Sequence, residues 1–123
     1  MFAQPGKVIE LKSANKMENT LIGGEQVRDF VGNVHFVQPS ASGGPINLWC
    51  DRALQFLQSR RIECFGNVKI IRDSLTLLSK EGTYFDRTRR AHLTKGVRLE
   101  RPGTILTAQE GDYEVDEKRA HFT

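Results

Sequence analysis

The sequence predicts an all-β chain assembled from repeats, and three observations carry that prediction. Ile62–Arg90 recurs without a gap as Ala91–Arg119, an offset of 29 residues that places Val68 on Val97, Ile70 on Leu99, Leu77 on Leu106 and Tyr84 on Tyr113. A fixed period of this length is the mark of a repeat architecture. Within each unit the apolar residues alternate, the period of a half-buried strand. No segment has helical periodicity, and turn-forming stretches such as Arg72-Asp73-Ser74 and Arg101-Pro102-Gly103 separate the apolar runs.

Taken in order, Lys7–Leu11 has a strand-like pattern, and Ser13–Thr20 is polar and reads as a loop. Phe30, Gly32, Asn33, Val34 and Phe36 match Cys64, Gly66, Asn67, Val68 and Ile70 at an offset of 34, so five residues are inserted within 37–45, VQPSASGGP. That segment reads as a surface loop, where closure entropy makes insertion cheap. The N-terminal piece reads as a degraded unit, as the caps of repeat arrays often are. One strand of each unit carries Ile62, Cys64, Val68 and Ile70, then Leu93, Val97 and Leu99. The other carries Ile46, Leu48 and Cys50, then Leu75, Leu77 and Ser79, then Thr104, Leu106 and Ala108. Ala53, Gly82 and Gly111 share a position whose small size suits a bulge or bend. Tyr84 and Tyr113 follow, expected to cover one end of the apolar face with their hydroxyls in water. Strand direction is open at this stage, and a parallel solenoid fits the repeat as well. The length suits a single domain over residues 1–123. Ala120-His121-Phe122-Thr123 repeats Ala91-His92-Leu93-Thr94, so the chain is expected to be cut within a unit.

The formal charge of +3 and pI of about 9.1 are mildly basic, favouring anionic partners without a nucleic-acid signature. No stretch approaches the roughly 20 apolar residues of a membrane-spanning helix. Cys50 and Cys64 are too few for a disulfide framework or a metal site. They read as small core residues, with a single disulfide as the alternative.

The Gly-Asn-Val triplets at Gly32-Asn33-Val34 and Gly66-Asn67-Val68, and the Glu-Gly-x-Tyr of Glu81–Tyr84 and Glu110–Tyr113, resemble the OstA-like family over Lys7–Thr123. That family includes the lipopolysaccharide-transport proteins LptA, LptC and the periplasmic domain of LptD. The third unit departs from the pattern with Lys95-Gly96-Val97. The resemblance implies a partly open, V-shaped, taco-like β-jelly roll of stacked strands. It implies a location in the periplasm of a Gram-negative envelope, lipopolysaccharide as ligand, and other OstA-like domains as partners through edge-strand pairing, with homo-oligomers included. The expected function is non-enzymatic lipopolysaccharide binding and transport. Acyl chains would lie in a groove lined by Val34, Phe36, Ile46, Leu48, Ile62, Cys64, Val68, Ile70, Leu75, Leu77, Leu93, Val97, Leu99 and Leu106. The alternation that selects these residues fits a closed, dry core equally well, in which case the chain is a structural repeat module that mediates head-to-tail assembly without lipid.

Arg60-Arg61, Arg89-Arg90 and Lys118-Arg119 recur at one position of the repeat and are candidate head-group contacts, since guanidinium forks suit phosphate. The alternative is a solvated turn balanced by Asp86, Asp116 and Glu117. Glu63, His92 and His121 share an outward position, but no further ligand accompanies them, so no metal and no cofactor are expected. A phosphate-binding Gly-rich loop, a G-x-S-x-G elbow and an H-E-x-x-H helix are all missing, and no enzymatic activity is expected.

Overall fold

In the computed structural model, residues 8–40, 43–115 and 119–122 are described, with only the backbone for residues 119, 120 and 122. They form eleven strands: β1 (Glu10–Ser13), β2 (Lys16–Ile22), β3 (Glu25–Gln38), β4 (Ile46–Phe56), β5 (Arg61–Arg72), β6 (Leu75–Phe85), β7 (Arg90–Thr94), β8 (Val97–Arg101), β9 (Thr104–Ala108), β10 (Gly111–Glu114) and β11 (Arg119–Phe122). Every described pairing is antiparallel, which settles strand direction against a parallel solenoid. The sheet is open rather than closed on itself.

The long strands serve two half-sheets, because each bends partway along its length. The registers of β3–β4, β4–β5 and β5–β6 all shift at the bend, between Val31/Val34, Trp49/Arg52 and Phe65/Val68. On one side of the bends, β2 and the first part of β3 lead through β4, β5 and β6 to β7, β10 and β11. On the other side, β1 and the last part of β3 lead through β4, β5 and β6 to β8 and β9. The two halves fold toward each other like the leaves of a V, as the family resemblance implied.

The bend has a local cause. Gly32 and Asn33 sit at φ 82° and 49°, and Gly66 and Asn67 at 81° and 49°, so two consecutive residues are left-handed. Glycine enters that region freely, and asparagine is among the few other residues that tolerate it. A neighbouring side chain fills the space that a Cβ would need: Asp51 Oδ2 stands 2.6 Å from that position on Gly66, and Asn15 Nδ2 stands 2.5 Å from it on Gly32. The Asn67 amide donates to Asp51 Oδ2 at 2.9 Å and braces the corner. In the third unit Lys95 and Gly96 take the same left-handed pair, at φ 62° and 88°. The motif is therefore reversed in residue type but kept in backbone geometry, with the strand interrupted between β7 and β8.

The inner faces meet in one apolar core. Phe30 and Phe36, on the two arms of β3, pack edge to face with ring centroids 5.5 Å apart. Ala53, Cys64, Gly82, Leu93 and Gly111 form one rung across five strands. A Cβ on Gly82 would lie 2.6 Å from Leu93 Cδ2, so the small residues of this rung admit the larger ones between them. The register shifts and the bend lie beside that rung, on the corner side, and not at the small residues where a bulge or bend was expected.

Ser13–Thr20 is not a loop. Most of it lies in β2, which pairs with β3 over Lys16–Ile22, and every residue of β2 is exposed. An edge strand is held by its backbone ladder and needs no apolar face of its own, so side-chain pattern could not reveal it.

The corner makes a stability prediction. Gly96 has open space around its Cβ position, so Gly96→Ala should cost only the left-handed penalty, about 1 kcal/mol. Gly66→Ala adds the Asp51 clash and should cost about 3 kcal/mol. Equal denaturation midpoints for the two variants would show that Asp51 yields freely.

Candidate functional site: the apolar interior and its mouth

Every residue picked as groove lining lies on the inner faces and is buried, except Leu106, which is 45% exposed on β9 beside exposed Ile105. In the middle of the stack Phe36, Leu48, Ile70, Leu77 and Leu99 are at most 1% exposed, so the half-sheets are in contact there. At the other end of the stack Val8, Leu11, Met17, Leu21, Ile22 and Val31 are exposed. A cleft of about 290 Å³ opens at that end between Val8, Ile9, Phe56, Leu57 and Ile62, with Arg60 and Asp86 on its rim. Cys50 and Cys64 are buried free thiols within the core. A hydrogen bond between them, together with burial, pushes the Cys64 thiol well above its ordinary value and keeps it protonated.

Opposite the corners the two halves come together again at the ends of their hairpins, and here the contacts are polar. Gln38 and Arg72, at the ends of β3 and β5, belong to one half, and Tyr84, Asp86 and Val115 belong to the other. Tyr84 Oη donates to Gln38 Oε1 at 2.5 Å, and Gln38 Nε2 donates to the Asp86 carbonyl at 2.9 Å. Arg72 Nη1 donates to the Val115 carbonyl at 2.6 Å, and its Nη2 to Ser40 Oγ at 3.1 Å. Arg60 Nε pairs with Asp86 Oδ1 at 3.0 Å, and Arg89 Nη2 reaches the Pro39 carbonyl at 3.4 Å. Pro39, Ser40 and Gly44 of the inserted segment lie along this seam, where Gly44 N also donates to Asp73 Oδ1 at 3.2 Å.

Neither tyrosine ring stands with its hydroxyl in water as expected. Tyr84 and Tyr113 are buried, and Tyr84 spends its hydroxyl on Gln38. A phenol cut off from solvent needs a partner, and the other half-sheet supplies one. Burial raises the Tyr113 pKa, with Arg101 and Arg72 opposing that shift.

The paired cations divide between two surfaces. Arg60 and Arg89 sit in left-handed turn conformations, at φ 57° and 54°, and serve the mouth. Arg61 and Arg90 alternate with the inward Ile62 and Ala91 and so face outward. Arg61 lies 3.8 Å over the ring of Phe56, its direct cross-strand partner, and Arg90 lies 5.1 Å over that of Phe85. Arg61 also pairs with Glu63 at 3.0 Å. Arg119 pairs through its backbone with Glu114, and Lys118, Asp116 and Glu117 lie outside the described residues.

Glu63, Thr83, His92, Asp112 and His121 form one outward rung. His92 Nδ1 is 3.0 Å from Asp112 Oδ1, and Nε2 is 3.7 Å from Glu110 Oε1. Among the described residues no three such side chains converge in metal-binding geometry. His35 also faces outward, stacked on Trp49 at 4.5 Å and bonded to Asn47 at 2.9 Å.

Gln38 and Arg72 were not picked as site residues, although a signal was present. The inner stripes read Val34, Phe36, Gln38, then Val68, Ile70, Arg72, then Val97, Leu99, Arg101, so each ends in a polar residue one step past its last apolar one. That break in alternation marks where the apolar interior reaches its boundary.

No curated protein matches the chain in sequence. Among solved structures it is similar to LptH, described as the LptA homologous periplasmic component of the conserved lipopolysaccharide transport device from Pseudomonas aeruginosa. The TM-score is 0.74 at 14% identity, over 94% of this chain and 82% of that one, a likeness of fold. The family described as OstA-like protein matches residues 6–123, the same span in which the Gly-Asn corners and the stacked units occur. The chain belongs to the OstA-like family.

Proposed function

We propose that this chain is a non-enzymatic periplasmic domain that binds and passes on lipopolysaccharide, holding acyl chains between its two half-sheets. The observation that carries the reading is the asymmetry of the interior. Its two apolar faces are joined covalently along the corner side, and among the described residues side-chain hydrogen bonds join them along the other. A sandwich built in this way can part along one side without breaking a backbone ladder. Family membership and the fold shared with LptH support the same reading.

The energetics favour an amphiphile with several chains. Each buried methylene is worth about 0.8 kcal/mol, so acyl chains repay the separation of the half-sheets without specific polar contacts. The ends of the stack suit assembly with like domains. Among the described residues β2 edges one half-sheet and β1 and β9 the other, and apolar side chains are exposed at both ends. Unpaired strand edges of this kind accept another strand by backbone pairing.

The tight packing at mid-stack favours a second reading, a structural module that assembles head to tail and carries no lipid. Photocrosslinking separates the two. A photoreactive residue at Leu77, Val97 or Leu106 should capture lipopolysaccharide, and one at outward-facing Lys80 or Gln109 should not. A folded protein in which no inner position captures lipid has a closed core, and the structural reading then stands.

A further inference from the structure

Nothing in lipid binding calls for a thiol at Cys50 or at Cys64, yet the fold sets the two against each other. β4 and β5 run in opposite directions through the corner they share. Cys50 is the last inward residue of β4 before its bend, and Cys64 the last inward residue of β5 before its own. They therefore stand on opposite half-sheets: Cys50 shares a rung with Val34, and Cys64 shares one with Ala53 and Gly82. Inward side chains of the two halves meet along this crease, as Phe30 and Phe36 do on the neighbouring strand with ring centroids 5.5 Å apart. Cys50 and Cys64 meet in the same way, joined by a hydrogen bond inside the apolar core.

The repeat shows that the crease does not require sulfur. Phe30 and Leu93 stand at the positions equivalent to Cys64, and Ser79 and Ala108 at those equivalent to Cys50, so two thiols come together only where β4 crosses to β5. A buried free cysteine behaves as a small hydrophobe, and one alone would add nothing further. Two thiols close enough to share a hydrogen bond are near the separation from which a disulfide closes with little movement of the backbone.

We propose that Cys50 and Cys64 form a redox-active pair, oxidised by a reagent of the disulfide class to a bond that staples the two half-sheets together at the crease. One cysteine, as its thiolate, attacks a sulfur of the oxidant and releases the first of the oxidant's thiolates. The other cysteine, as its thiolate, attacks the mixed disulfide, closes the Cys50–Cys64 bond and releases the second. Two electrons and the two cysteine protons thus end on the oxidant, which leaves as two thiols. The hydrogen bond with Cys50, together with burial, holds the Cys64 proton in place, so the folded protein is oxidised slowly and keeps the state in which it folded. A staple at the crease fixes the corner and leaves the mouth free to part. Its operation in the cell rests on the periplasmic location proposed above, where oxidants of this class act, whereas its chemistry does not.

The full chain is unfolded in denaturant and refolded either in a mixture of oxidised and reduced glutathione or in dithiothreitol. Alkylation under denaturing conditions followed by mass spectrometry should show, for the glutathione sample, a monomer in which both cysteines escape alkylation and their peptides are linked. That form should melt roughly 10 °C above the reduced one, the shift expected from closing a loop of about 15 residues in a chain of this size. Cys50→Ala and Cys64→Ala should each melt at one temperature in both buffers, with a circular dichroism spectrum like that of the unmodified protein. Two free thiols, a glutathione adduct without the link, or a bond between two chains overturns the proposal. So does a linked form that melts no higher than the reduced one. No lipid enters the experiment, so its failure leaves the lipid-groove reading untouched, and failure of lipid capture leaves the pair untouched.

Discussion

The pair of left-handed residues at each corner is the constraint from which the rest follows. An extended strand would carry its apolar side chains along a single flat face, and such a sheet would leave that face in water. Gly32-Asn33, Gly66-Asn67 and Lys95-Gly96 turn the strand partway along, so that Val34 and Phe36 come to face residues earlier in the same strand. The hydrophobic effect then closes the V, since burying a side chain such as Phe36 or Leu77 is worth about 1.5–3 kcal/mol. Asp51 completes the device: it occupies the space left by the missing Cβ of Gly66 and accepts from Asn67. A conformational requirement of the backbone thus becomes a two-sided apolar interior.

Once the chain is bent, its open side becomes the weak line. Strands within a half-sheet are joined by ladders of backbone hydrogen bonds, whereas among the described residues the halves are joined at the mouth by side chains of β3, β5 and β6 and the turns beside them. Such bonds contribute about 1 kcal/mol each in net terms, and those to a charged group somewhat more. Polar residues placed there also keep the rim of the interior from presenting a continuous apolar edge to water.

Much of this fold was legible in the sequence, because repetition lets each unit confirm the others. The alternation in Val68, Ile70, Leu75 and Leu77 gave the inner faces, whereas the bend falls at the Gly-Asn pairs and not at the small residues Ala53, Gly82 and Gly111. Two features escaped because their physics is not local. β2 lies in a polar stretch and is held by backbone pairing to β3, which leaves no trace in side-chain pattern. The roles of Arg60 and Arg61 diverge because Arg60 closes a left-handed turn toward the mouth while Arg61 begins a strand and faces outward, a difference set by one residue of register. Gln38 and Arg72 looked like ordinary strand ends, and only the meeting of the halves shows what they bond to.

The central claim is that the half-sheets part when lipid is held between them, and a distance across the mouth tests it most directly. Ser74 and Arg87 lie on exposed turns of the two halves and accept spin labels through introduced cysteines, while Cys50 and Cys64 stay buried. Double electron–electron resonance, with and without lipopolysaccharide, then reports the width of the opening. The account predicts that the distance lengthens by about 4 Å or more, the thickness of one hydrocarbon chain in van der Waals contact. An unchanged distance in protein that demonstrably carries lipopolysaccharide would contradict it.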